Sequence, residues 1–309
     1  TRAVKVSLIA SSCHAWQSEP MSTPAPEHDP VPPIVDVAWL LDRRAGDSAL
    51  VVCHVGSTMA GPDPEQVYVT RHLPGARFVS LDDVLAAPPS GTAGRHPLPS
   101  PSEFAASLAE LGIDHDATVV AYDERGGALA GRLVWMLRIL GERATLLEGG
   151  IAAWEAAGES IDIEPVTWDA VERAEVDWPL DALADAIDVE RHIAAGGVVV
   201  DSRDPARYAG ELEPIDPVAG HIPGAVNLLF TGNLDSDSRF LPVAELHTRV
   251  APVIGQDEHP IVYCGSGVTA CHNALAMEHA GFAMPRVYVG SWSGWTADPD
   301  RSIATGSVP

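Results

Sequence analysis

Short apolar runs alternate with helically spaced segments along most of the chain. In the first half, Ala49 to Val55, Thr118 to Tyr122 and Thr145 to Leu147 read as strands, and Leu129 to Leu140 reads as a helix stopped by Gly141. Ser100-Pro101-Ser102-Glu103 has the form of a helix start: a serine cap, proline at the first helical position, and glutamate three residues after the cap. That helix is predicted to run to about Leu111, with Gly112 as its stop. In the second half, Gly197 to Asp201, Ile261 to Tyr263 and Val287 to Val289 read as strands, and Val268 to Ala280 as a helix ending at Gly281. Such alternation predicts an α/β fold, with mostly parallel sheets flanked by helices and sites at the carboxyl ends of the strands.

The pattern occurs twice. Arg71-His72-Leu73-Pro74-Gly75-Ala76 is echoed 149 positions later by Gly220-His221-Ile222-Pro223-Gly224-Ala225. Val119 to Asp123 is echoed by the segment ending at Cys264, and Glu148 to Trp154 by Val289 to Trp295, both at an offset of 141. The change of offset puts eight extra residues in the first copy, most simply in the Pro/Gly-rich stretch Pro88 to Pro101. A period this long means duplicated domains rather than a solenoid. The expected organisation is a disordered tail over 1–33, a first domain over 34–158, a linker over 159–178 and a second domain over 179–304.

Length and composition agree with two domains: 309 residues, 46% hydrophobic. The net charge of −24 argues against nucleic acid or an anionic membrane as partner. It also requires that any anionic substrate be received by a local positive site. No apolar stretch approaches membrane-spanning length, and Val6 to Ala10 is too short for a signal-peptide core. Met21 reads as a natural start, with residues 1–20 an upstream extension. The four cysteines, Cys13, Cys53, Cys264 and Cys271, show neither C-x-x-C pairing nor a zinc-ligand rhythm, so a reducing, cytoplasmic setting is expected. No motif for a metal, nucleotide or organic cofactor is found.

The candidate chemistry lies at Ile261-Val262-Tyr263-Cys264-Gly265-Ser266-Gly267-Val268-Thr269. A strand ends in a cysteine, a glycine-rich loop follows, and a helix begins. Converging backbone N–H groups and the helix dipole can stabilise a thiolate at such a place. An unperturbed thiol is only about 3% ionised at pH 7, so the seat matters.

Two tandem copies, a His-Ile/Leu-Pro-Gly motif in each, a cysteine of this kind only in the second, and Gly290-Ser291-Trp292-Ser293-Gly294-Trp295 resemble the two-domain rhodanese sulfurtransferases. The resemblance covers roughly Pro33 to Asp300. The loop Cys264 to Ala270 is similar to that of the 3-mercaptopyruvate branch, since Gly265 and Ser266 stand where the thiosulfate branch has basic residues. The resemblance implies two rhodanese-like domains, and a Cys264 that takes sulfane sulfur as a persulfide and hands it to cyanide, a thiol or thioredoxin. Gly265, Gly267, Val268 and Thr269 would line the donor. Arg207, in an Arg-aromatic-x-Gly setting, would bind the donor's anionic group. A second arginine of that branch is replaced by Ile215, which leaves the preferred donor between 3-mercaptopyruvate and thiosulfate; Arg95 of the first copy is one substitute.

The same resemblance implies a serine–histidine–aspartate relay of Ser266, His72 and Asp63. The alternative is that His72 holds its turn and Asp63 is a loop acid. His221 reads as structural, Cys271 and Cys53 as core, and Trp292 and Trp295 as either cleft lining or packing. Asp123, at the cysteine position of the first copy, makes that copy inert in sulfur transfer. Phosphatases of one dual-specificity group share the fold but need an arginine near the loop end. Here Val268 is followed by Thr269, Ala270 and Cys271, with no arginine before Arg286. A sulfur carrier serving one protein acceptor is a further alternative.

Overall fold

The computed structural model describes residues 30–59 and 61–309. The expected upstream extension over 1–20 and Cys13 lie outside the described residues. The tail expectation needs correcting at its end: Val31 is buried and its carbonyl accepts from Arg138 Nη1 at 3.0 Å.

Two parallel five-stranded sheets form the molecule. The first holds β1 (Ile34–Val35), β2 (Leu50–Gly56), β3 (Arg77–Ser80), β4 (Thr118–Tyr122) and β5 (Arg143–Leu147), in the order β1-β5-β4-β2-β3. The second holds β6 (Leu183–Ala184), β7 (Val199–Asp201), β8 (Val226–Asn227), β9 (Ile261–Tyr263) and β10 (Arg286–Tyr288), in the order β6-β10-β9-β7-β8. The two orders are the same, as the internal repeat predicts. Helices Pro101–Glu110, Ala130–Ile139 and Thr269–His279 sit within a residue or two of their predicted ends. Ser100 caps the first of these in a full capping box with Glu103. Ala157 to Ala182 carries no helix or strand beyond an isolated bridge at Asp162, and Trp168, Arg173 and Trp178 pin it to first-domain carbonyls.

One apolar cluster runs through both halves. It joins Leu133, Val134 and Leu137 of helix Ala130–Ile139 to Ala270, Cys271, Ala274 and Leu275 of helix Thr269–His279. Gly131 faces His272 across this contact. The contact places the first copy's helix directly behind the loop that carries Cys264. Two smaller clusters cover the outer sheet faces. One includes Leu73, Ala76, Tyr122 and Trp154; the other includes Ile222, Tyr263, Trp292 and Trp295.

Candidate active site

Cys264 follows β9 directly and is 2% exposed. Its Sγ accepts the Gly267 N–H at 3.1 Å. Gly267 has φ +77°, and a methyl there would meet Val289 O at 2.5 Å, so only glycine turns this N–H onto the sulfur. Helix Ser291–Trp295 holds the front of the loop. Ser291 Oγ accepts from Cys264 N at 3.1 Å, Trp292 N donates to Cys264 O at 2.9 Å, and Ser293 N donates to Gly265 O at 2.9 Å. Ser291 adopts φ 52°, a left-handed conformation uncommon for a residue with a side chain.

The first domain shows what such a loop binds. Asp123 follows β4 as Cys264 follows β9, and its carboxylate accepts four backbone N–H groups: Arg125 at 2.7 Å, Gly127 at 2.9 Å, Leu129 at 2.7 Å and Ala130 at 2.8 Å. The loop is an anion cradle, filled here by a side chain of the chain itself.

Positive charge gathers over Gly265. A methyl at Gly265 would lie 3.1 Å from Arg95 Nη2 and 3.5 Å from Arg207 Nη2. Arg95 arrives from the first domain on the stretch after the 3-10 turn Gly91–Ala93, and its backbone N–H donates to Ser293 Oγ at 3.1 Å. Both guanidiniums hold Asp216: Arg95 through Nη1, and Arg207 through Nη2 at 2.9 Å. Arg207 also forks onto Glu213, with Nε 3.0 Å and Nη2 2.7 Å from its oxygens. Burial raises Asp216 above the usual carboxylate range, although Arg95 acts against the shift. Burial would also raise Glu213, but bonds from Arg207 and from the N–H groups of Asp216 and Ile215 outweigh it and hold this carboxyl low. Ile215 is 60% exposed, and Arg95 of the first domain lies over Gly265 beside Arg207.

The three relay residues are not brought together. His72 is fully buried, bonds Tyr68 O through Nδ1 at 2.8 Å and stacks on the Tyr68 ring at 4.2 Å. Its neighbours Leu73 and Ala76 belong to the outer cluster of the first sheet. His221 does the same in the second copy, with Nδ1 2.8 Å from Tyr208 O and its ring 3.7 Å from that of Tyr208. The motif is therefore a turn lock in both copies. Asp63 is exposed and caps helix Pro64–Thr70, accepting from Glu65 N at 3.0 Å. Among the described residues no hydrogen bond joins Ser266, itself buried on the loop, to either. Val268 is buried and Thr269 half-buried at the start of the following helix.

Cys53 and Cys271 are buried core thiols, and burial pushes Cys53 up to about 12 and Cys271 higher still. Trp292 and Trp295 pack the last helix against the sheet and donate to Val218 O and Ser302 O. Asp216, Ser291 and the fully buried Arg132, whose Nη1 donates to Gly267 O at 2.9 Å, are site residues that sequence reading missed. Arg132 carried a signal: it is a lone charge in the apolar run Ala130 to Leu137.

A parallel-sheet pair with one cysteine cradle and one carboxylate-filled cradle defines a duplicated fold with a single thiol site. The rhodanese-like domain model matches residues 36–157 and 185–298, and the chain belongs to that family. It is 46% identical over 281 residues to a probable 3-mercaptopyruvate sulfurtransferase of Pseudomonas aeruginosa, covering 87% of this chain and 97% of the relative. It is 36% identical to a putative thiosulfate sulfurtransferase of Mycobacterium tuberculosis, over 91% of this chain and 93% of that one. Among solved structures, the 3-mercaptopyruvate sulfurtransferase of Leishmania major superposes with a TM-score of 0.74 at 30% identity, covering 87% of this chain and 75% of that one. Among the described residues no helix is long and apolar enough to cross a membrane.

Proposed function

We propose that this chain, an enzyme of the sulfurtransferase class, moves a sulfane sulfur from 3-mercaptopyruvate to a thiol or cyanide through a persulfide on Cys264. The observation that carries this reading is Cys264, whose Sγ accepts the Gly267 N–H, on a loop whose Gly265 lies beneath two arginines drawn from both domains. The domains are taken as 34–158 and 179–304, joined by the linker 159–178.

The donor carboxylate lies on Arg207 and Arg95, and Gly265 leaves room beneath them for the donor sulfur. Cys264 thiolate attacks that sulfur, the carbon–sulfur bond breaks, and pyruvate leaves as its enolate. The proton of the donor thiol ends on the enolate carbon, leaving a cysteine persulfide anion. The Gly267 N–H holds the charge, much as backbone N–H groups at other positions of the first-domain loop hold the Asp123 carboxylate. Cyanide or an acceptor thiolate then takes the outer sulfur and restores the thiolate. Thioredoxin and small thiols are acceptors of this chemistry.

Steady-state kinetics with 3-mercaptopyruvate and with thiosulfate test the reading in wild type, Cys264→Ser and Arg95→Ala. The expected result is a preference for 3-mercaptopyruvate, loss of activity in Cys264→Ser, and a KM raised about tenfold in Arg95→Ala, which corresponds to about 1.4 kcal/mol of lost ion pairing. A preference for thiosulfate would replace the donor assignment. Full activity in Cys264→Ser would end the mechanism.

A further inference from the structure

Arg132 is fully buried on helix Ala130–Ile139 of the first domain. All its hydrogen bonds go to backbone carbonyls: Nε to Leu85 O at 2.9 Å, Nη1 to Gly267 O at 2.9 Å, and Nη2 to His96 O at 2.8 Å and Pro97 O at 3.2 Å. It forms no salt bridge among the described residues. A buried guanidinium without an anion is costly, so its counter-charge has to be found nearby.

Burial works against the charge on Arg132, and the groups whose ionisation favours it are Cys271 and Cys264. Cys271 is excluded as the anion. Burial pushes its thiol far up, and its Sγ–H donates to the same Gly267 O at 3.2 Å. The other charges over the loop are already matched, Arg95 and Arg207 by Asp216 and Glu213. His96, whose carbonyl Arg132 holds, is kept neutral first by burial and then by Arg132 and Arg95, with a pKa lowered to about 4.

We infer that Arg132 is the fixed counter-charge of the Cys264 thiolate and persulfide, supplied by the otherwise inert first domain across the domain contact. It is a positioning residue. Its guanidinium holds the carbonyl of Gly267, and the N–H of that same residue faces the Cys264 sulfur. The first domain thus contributes a buried charge to the chemistry as well as a wall. The inference rests on Cys264 being the nucleophile, which the Cys264→Ser kinetics test separately.

The experiment is the pH dependence of Cys264 alkylation by iodoacetamide, read by peptide mapping, in wild type, Arg132→Gln, Arg132→Met and Arg132→Lys. Gln and Met are expected to raise the midpoint by about one pH unit, so that alkylation below it slows roughly tenfold. Lys keeps the charge and should stay near wild type, even though all three melt earlier. A folded Gln or Met variant with an unchanged midpoint would overturn the inference, as would a Lys variant shifted as far as Gln. If neither neutral variant folds, thermal midpoints of wild type and Cys264→Ser decide. The gap between them should widen as pH rises through the thiol's midpoint, and a constant gap overturns the inference.

Discussion

Asp123 and Cys264 occupy the same place in their two domains, each the first residue after a strand that ends in tyrosine. Tyr122 and Tyr263 bind the turn motifs alike, their hydroxyls accepting from Leu73 N at 2.9 Å and Ile222 N at 3.2 Å. The same backbone frame therefore presents a carboxylate in one domain and a thiol in the other. In the first, the acid is consumed by the fold: four N–H groups close on it.

Asp123→Ala should consequently act on stability. It strands four donors at once, three of them buried, and the expected loss is about 3 kcal/mol, read by urea or thermal denaturation. Asp123→Asn keeps two acceptor lone pairs but brings an NH2 against two of the donors, so it should fall between. A wild-type melting curve for Asp123→Ala would mean that water replaces the carboxylate without cost.

The swap of Asp123 for Cys264 is matched by a second one. Gly150 and Ser291 are equivalent positions, both left-handed, at φ 51° and 52°. A methyl at Gly150 would strike Asp123 O at 2.3 Å, whereas Ser291 uses its hydroxyl to hold the Cys264 N–H. The second copy thus accepts backbone strain where it fixes the cysteine.

Asp216 bridges the two arginines that are proposed to receive the donor. Its side chain is 1% exposed, so an incoming carboxylate competes with it for the same guanidiniums. Asp216→Asn should relieve that competition and lower the KM for 3-mercaptopyruvate about fivefold, equivalent to about 1 kcal/mol. A raised KM would show instead that Asp216 only aims Arg95 and Arg207.

What was legible in the sequence was local or repeated. The strand ending at Tyr263, the glycines after Cys264 and the Ser100 cap each fix their own backbone within a few residues. The duplication then supplied the equal sheet orders. The edge strands β1, β6 and β8 escaped because two residues cannot display a period. Arg95 and Arg132 act across the domain contact, and nothing in their neighbours announces which loop they will meet. His72 and Asp63, two members of the expected relay, each have other partners. The spacing of Asp63 and His72 is real, but Tyr68, on the helix that Asp63 caps, stacks on the imidazole and accepts from it, just as Tyr208 does with His221.

Acid should destabilise the molecule through buried imidazoles. His272 is fully buried at the domain contact, with Nε2 3.1 Å from Gly126 O and its ring stacked 4.6 Å from that of Phe240. Burial lowers its pKa to about 4, and His54 and His96 are lowered likewise, each chiefly by burial. In the unfolded chain these groups take up protons near pH 6.5, whereas in the folded chain they resist down to about 4. The unfolded state therefore binds more protons across that window, and stability falls as pH drops through it, with the full penalty in place below about 4. His272 alone corresponds to on the order of 3 kcal/mol. Thermal midpoints measured from pH 7.5 to 4 should fall less steeply in His272→Gln, whose amide can still reach Gly126 O without titrating. Parallel curves for the two proteins would mean that the domain contact opens before the imidazole has to be protonated inside it.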